Sequence, residues 1–160
     1  MVTTKTSTWA PFRPIHITVS SVTLPNGFRD RCRNWVIENG EINKISGFYT
    51  SFDCEHKQDW LAPVLEQIAP IEKYDSFWIQ AYDVGGWHTE HNHEGPDIVL
   101  SGCLYLDKGR SSIFQDPLHP SQHTSMPVEE GTVLYWDPAL YHCSSPEQTE
   151  RTILAFNLND

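Results

Sequence analysis

Apolar positions in the first part of the chain recur at helical spacing. After Asn26, the residues Phe28, Cys32, Trp35 and Val36 fall on one face of a helix, and Gly40 stands where a left-handed C-terminal cap is expected. Leu61, Val64, Leu65 and Ile68 mark a second helix, with Asp59 placed to cap its start and Pro63 tolerable in its first turn. Between them, residues 47–52 read as a strand; ahead of them an extended arm bearing Pro11 and Pro14 leads into a strand over residues 15–19. From Ser76 the pattern changes to short runs rich in Val, Ile, Tyr, Phe and Trp, broken by Gly, Pro and Asp. These predict strands over 77–84, 98–106, 112–114, 132–136 and 152–158. The polar stretch 116–130 reads as a loop at a rim. Helices first and an antiparallel β core afterwards predict an α+β fold with a β-sandwich or jelly-roll core.

Length and composition change that picture little. A chain of 160 residues suits one domain over 1–160, divided into an arm (1–14), helical support (15–75) and a jelly-roll core (76–160). Met1 to Thr8 lacks the charged start and apolar run of a signal peptide, and no stretch is long and apolar enough for a bilayer, so a cytoplasmic protein without a membrane role is expected. Cys32, Cys54, Cys103 and Cys143 have no CxxC spacing and read as free thiols. A formal net charge of −10 argues against nucleic acid as a partner, because phosphate recognition calls for a basic surface. It leaves open a small molecule or a peptide as substrate, and a homodimer as the assembly.

The residues with the most chemistry lie in Trp87-His88-Thr89-Glu90-His91-Asn92-His93. On an extended segment, side chains two apart point the same way, so His91 and His93 can hold one ion while His142, from a later strand, supplies a third ligand. The plainer reading is an exposed turn with several histidines. Arg151 opens the last strand, where a hairpin returning from His142 would set it beside such a site. A buried guanidinium needs an anion; either a bound dicarboxylate or a surface pairing with Glu147 or Glu150 would answer. Positions 151, 153, 155 and 157 share a face, so Asn157 is expected to line the same pocket as Arg151, unless it serves only as a strand-end residue bonded to its own backbone.

Tyr82-Asp-Val-Gly85-Gly-Trp-His88-Thr-Glu-His91-Asn-His93 resembles the Y-x-x-G-x-x-Y-x-x-H-x-D motif of the 2-oxoglutarate/Fe(II)-dependent oxygenase superfamily, near its prolyl-hydroxylase-like and phage-type branches. The resemblance spans residues 76–159, about half of the chain. It implies a double-stranded β-helix, and Fe(II) and 2-oxoglutarate as cofactors. It implies hydroxylation of a C–H bond in an amino acid, a prolyl-like peptide or a small metabolite, with release of succinate and carbon dioxide. It also implies metal ligands His91, His93 and His142, an anchor for the far carboxylate in Arg151 with Tyr105, and contacts to the cosubstrate from Gln80 and Tyr82. Packing inside the sandwich is the alternative for Gln80 and Tyr82. Trp87 and Trp136 are candidates for the wall that excludes water, although core packing suits either.

One departure matters: His93 stands where the family has Asp or Glu, giving three imidazoles and one negative charge fewer. An H-x-H form is similar to that of the phage-type branch. Alternatively His88-Thr-Glu90 supplies an H-x-E pair, or Glu94 or Asp97 enters the shell. Two other classes compete. A cupin-type metal protein, or a metal dioxygenase or isomerase without a cosubstrate, would match Gly85, His91 and His93 but has no use for Arg151. A module with a structural zinc would normally close its site with a fourth ligand, commonly cysteine.

Overall fold

Alternate residues of the same strands build two different apolar layers, and this division decides where the histidines meet. The computed structural model describes residues 3–7, 15–51 and 59–160. Most of the expected arm, with Pro11 and Pro14, lies outside the described residues, as do Phe52 and Cys54. In chain order, β1 (Thr3–Ser7) and β2 (Ile15–Ser21) precede α1 (Phe28–Asn39), β3 (Glu41–Asn43), β4 (Phe48–Thr50), α2 (Ala62–Ile68) and a 3-10 turn over Ile71–Lys73. Then come β5 (Tyr74–Tyr82), β6 (His88–His91), β7 (Leu100–Tyr105), β8 (Gly109–Arg110), β9 (Ile113–Gln115), β10 (His123–Thr124) and β11 (Pro127–Val128). The chain ends with β12 (Thr132–Trp136), β13 (His142–Ser144) and β14 (Arg151–Leu158).

A main sheet runs in the order β1-β2-β12-β7-β14-β5-β4-β3, a smaller one in the order β10-β9-β13-β6, and β11 pairs with β8. Every pairing is antiparallel. On β14, Leu154, Phe156 and Leu158 point to one side and join Phe28, Val36, Leu61 and Val64 of the helical layer in one core. From the other side of the sheet, Ile17, Cys103, Tyr105, Leu134 and Trp136 meet Phe114 of β9, so the two sheets close on each other as a jelly roll. The expected α+β fold with a strand-rich core is observed.

Several local expectations change. β2 and β4 fall on the strands expected over 15–19 and 47–52, with Ile15 and Ile17 alternating with polar neighbours to bury one face, and the helical-support region adds one strand that was not expected, β3. Gly40 is extended (φ −90°, ψ −177°) rather than left-handed, since the chain passes straight from α1 into β3. Glycine is needed there for closeness: a Cβ would lie 2.6 Å from the carbonyl oxygens of Val36 and Thr50. Asp59 does not cap α2, whose N-cap is Leu61 without a side-chain bond, whereas the proline does fall in the first turn. The loop 116–130 carries β10 and β11.

Candidate metal centre

His91 and His142 are direct cross-strand neighbours, because β13 pairs with β6 in the register His142 to His91. Gly85, at φ +79°, turns the chain between β5 and β6, a conformation that an L residue adopts only with strain. His93 lies two residues past the end of β6, and its backbone N–H is held by the Pro138 carbonyl at 2.9 Å. The ligand atoms of His91, His93 and His142 then lie within 4.8 Å of one another. The expected trio is thus brought together, and the plain reading of an exposed turn is set aside.

The outer nitrogens of two rings are already in use. Nδ1 of His91 lies 2.8 Å from the Thr89 carbonyl, and Nδ1 of His142 lies 3.1 Å from that of Leu140. A carbonyl accepts only from an N–H, so each ring carries its lone pair on Nε2, which is the state a metal needs. Burial, reinforced by the neighbouring imidazoles, lowers the pKa of His142 to about 3 and those of His88 and His93 to about 4. Burial lowers that of His91 too, against the Thr89 carbonyl. At neutral pH these rings are uncharged Lewis bases.

Among the described residues, no carboxylate oxygen joins the cluster. Glu90 faces the other way, 3.5 Å from the Gln115 amide and 3.8 Å from His123, so the His88/Glu90 alternative does not assemble. His88 packs edge-on against His91 at 4.3 Å and Phe48 at 5.1 Å. Neither Glu94 nor Asp97 belongs to the ligand group.

Arg151 sits opposite Tyr82 across β14 and β5, with its guanidinium carbon 4.7 Å from the tyrosine ring centre. Nη2 donates to the carbonyls of Ser145 (2.9 Å) and Gly86 (3.1 Å), while the buried Nε has no partner among the described residues. No carboxylate pairs with it among the described residues: Glu150 lies 3.2 Å from Arg33, and Glu147 accepts from the Ser145 hydroxyl. The surface-pair reading therefore fails, and a cation with an unused donor is left facing inward. The Tyr105 hydroxyl donates to Ser112 Oγ (3.2 Å) and accepts from the Ser112 N–H (2.9 Å); that of Tyr82 donates to Gln80 Oε1 (2.9 Å). Burial raises both phenols, Tyr82 to about 12, so both keep their protons.

Three cavities meet around these groups. One of about 20 Å³ touches all three histidines, Trp136 and Gln80. A second, of about 10 Å³, lies between Arg151 and Tyr105. The two share Tyr82, Ser112, Ser144 and Ile153, and each holds about one water, so a longer ligand reaching from the histidines to Arg151 requires the shared side chains to part. The third cavity, of about 310 Å³, opens from His88, His91 and His93 toward Phe48, Thr50 and Asn157. Asn157 is therefore not with Arg151. Although they share a strand face, the step of six residues from one to the other covers roughly 20 Å, and Asn157 lies beyond the histidines, its Oδ1 accepting from Ser101 (2.8 Å) and its Nδ2 donating to Ser76 (3.1 Å).

Sequence reasoning missed Arg33, which is 7% exposed and bridges α1 to the end of β5 and the start of β14. Ser112 and Ser144 carried no signal.

No protein-family model matches the sequence, and no curated protein matches it. Solved structures do. A prolyl-4-hydroxylase from Pseudomonas putida aligns with a TM-score of 0.57 at 16% identity, over 89% of this chain and 91% of that one. The non-heme alpha-ketoglutarate-dependent epimerase SnoN of nogalamycin biosynthesis aligns at 0.68 and 11%, over 90% and 77%. HygX from Streptomyces hygroscopicus, with nickel, 2-oxoglutarate and hygromycin B bound, aligns at 0.65 and 11%, over 89% and 82%. The chain has the fold of the 2-oxoglutarate/Fe(II) oxygenases. No described helix is long and apolar enough to cross a membrane.

Proposed function

We propose that the protein is a 2-oxoglutarate- and Fe(II)-dependent dioxygenase that hydroxylates a C–H bond of a small molecule or peptide. The observation that carries the reading is the pairing of two features beside adjoining interior cavities: three neutral imidazoles within 4.8 Å, and a guanidinium with no carboxylate partner among the described residues. A cupin reading, or one without a cosubstrate, leaves that guanidinium unexplained. The similar structures include one with nickel and 2-oxoglutarate bound, which agrees in kind.

The donor set fits both groups. Nε2 of His91, Nε2 of His142 and the ring of His93 would hold the metal, and a three-nitrogen set leaves open positions for further oxygen ligands. Arg151, through Nε and its planar fork, would take the far carboxylate of the keto-diacid, with the Tyr105 hydroxyl turning its one proton from Ser112 Oγ to the same group. When bound, iron and 2-oxoglutarate together supply dioxygen activation, one oxygen atom entering the substrate as hydroxyl while the other leaves with succinate, and carbon dioxide is released. The chain's own contribution is placement. Thr89 and Leu140 carbonyls fix the imidazole rings, Trp136 and Phe114 close the interior against water, and Tyr82 stands between metal and anchor.

The test is anaerobic addition of Fe(II) and 2-oxoglutarate, read as a visible charge-transfer band, followed by succinate formation in air. Absence of the band with metal bound would refute the assignment.

A further inference from the structure

The interior path to Arg151 leaves the largest space at the histidines unused, and its lining has a definite chemistry. Among the described residues around the 310 Å³ cavity, none is Asp, Glu, Lys or Arg. Its walls combine aromatic surface from Phe48 and Trp78 with amides and hydroxyls from Thr50, Gln80 and Asn157.

The polar groups are held in fixed orientations. Gln80 accepts from the Tyr82 hydroxyl through Oε1, which fixes the amide and leaves an NH₂ with no partner among the described residues. Asn157 is fixed at both ends by Ser101 and Ser76, leaving one N–H of its amide. Thr50 is buried, and its hydroxyl has no side-chain partner among the described residues. An ammonium or carboxylate entering here would lose hydration and meet no opposite charge among the described lining residues, whereas a hydroxyl would find donors and an acceptor at fixed positions beside a flat apolar wall. The volume lies near the lower end of the roughly 300–1,000 Å³ typical of small-molecule sites.

We propose that this outer cavity is the substrate site and that it takes an uncharged, hydroxyl-bearing ring of sugar size, with Thr50, Gln80 and Asn157 as specificity residues. The proposal rests on the dioxygenase reading, since it is that reading that makes the histidines the reacting end of the cavity. It also narrows that reading, because a free amino acid carries two charges that no described lining residue answers.

The experiment uses Zn(II)- and 2-oxoglutarate-loaded protein, which cannot turn over, and saturation-transfer NMR with one ring in three charge states: methyl glucoside, glucosamine and glucuronate. Free proline and a blocked neutral tripeptide complete the set. Methyl glucoside is expected to bind about tenfold more tightly than either charged ring, the difference that a single unanswered polar interaction gives. Asn157→Asp is expected to reverse the order in favour of glucosamine. Thr50→Val, which keeps the shape and removes the hydroxyl, is expected to weaken methyl glucoside about tenfold and carries the test should the aspartate variant not fold. Preferential binding of a charged ring, proline or the tripeptide overturns the proposal. So does the absence of binding by methyl glucoside while 2-oxoglutarate binds. Failure of 2-oxoglutarate itself to bind overturns the dioxygenase reading instead, and this proposal with it.

Discussion

Arg33 donates a hydrogen bond to the backbone carbonyl of Arg151 at 3.4 Å, although both side chains are cations. The same Nη1 also reaches the Tyr82 carbonyl at 3.0 Å, so one guanidinium on α1 grips both residues of the cross-strand pair that stacks beside the interior path. Its Nη2 lies 3.1 Å from Asp83 and 3.2 Å from Glu150, the acids next to each of those residues in sequence. The arrangement neutralises Arg33 locally and keeps Glu150 away from Arg151. Arg33→Met retains the stem but removes the fork. It should leave the Tyr82 carbonyl without its donor, cost about 1–3 kcal/mol of stability, and weaken 2-oxoglutarate more than metal. Urea unfolding and titration of the visible band check the two effects. A stability loss with unchanged cosubstrate affinity would reduce Arg33 to a packing role.

Arg151→Ala should abolish tight 2-oxoglutarate binding while sparing metal uptake. Removing one partner of a buried charge pair costs on the order of 2–5 kcal/mol, or roughly 30- to 5,000-fold in affinity. Arg151→Lys should recover only part of the loss, because a point charge cannot reproduce the planar fork. Calorimetric titration of 2-oxoglutarate into metal-loaded protein measures both, and equal affinity in wild type and the alanine variant would remove the anchor role.

Metal content separates the two ligand registers that the sequence allows. With three imidazoles within 4.8 Å and Glu90 turned toward Gln115 and His123, His93→Ala should lose iron on dialysis and Glu90→Ala should keep it. The opposite result would transfer the site to the His88/Glu90 pair.

How far the sequence foretold this site depends on the range of the physics involved. The alternation along β14 is a local pattern, and it correctly put Arg151 and Ile153 on one inward face, whereas the register of Arg151 opposite Tyr82 of β5 is not written in either strand alone. The meeting of His91 with His142 followed from the strand order that a jelly roll imposes, so motif and fold class together made it legible. The same alternation misled for Asn157: sharing a face along one strand is not sharing a cavity once the histidines stand between. Gly40 misled similarly, because a glycine after a helix signals either positive φ or close approach, and only the Thr50 and Val36 carbonyls decide between them. Arg33 was out of reach, since its acceptors lie on β5, β14 and their flanking loops.

Trp136 distinguishes a wall from a ligand contact. Its ring packs 5.0 Å from both Phe114 and His142, yet its buried Nε1–H has no acceptor among the described residues. An unsatisfied buried donor costs about 1–3 kcal/mol, so a role in packing alone would make this indole a poor choice against phenylalanine. Because the side chain also lines the cavity at the three histidines, an acceptor brought in with 2-oxoglutarate would satisfy it. Trp136→Phe removes the donor and part of the ring. In the metal-free protein the relief of the unpaired N–H and the small void should roughly offset, leaving the unfolding midpoint within the equivalent of about 1 kcal/mol. In the metal-loaded protein 2-oxoglutarate affinity should fall about tenfold, read from the same visible band. A variant that is strongly destabilised yet binds the cosubstrate normally would show that the indole serves only to fill the core.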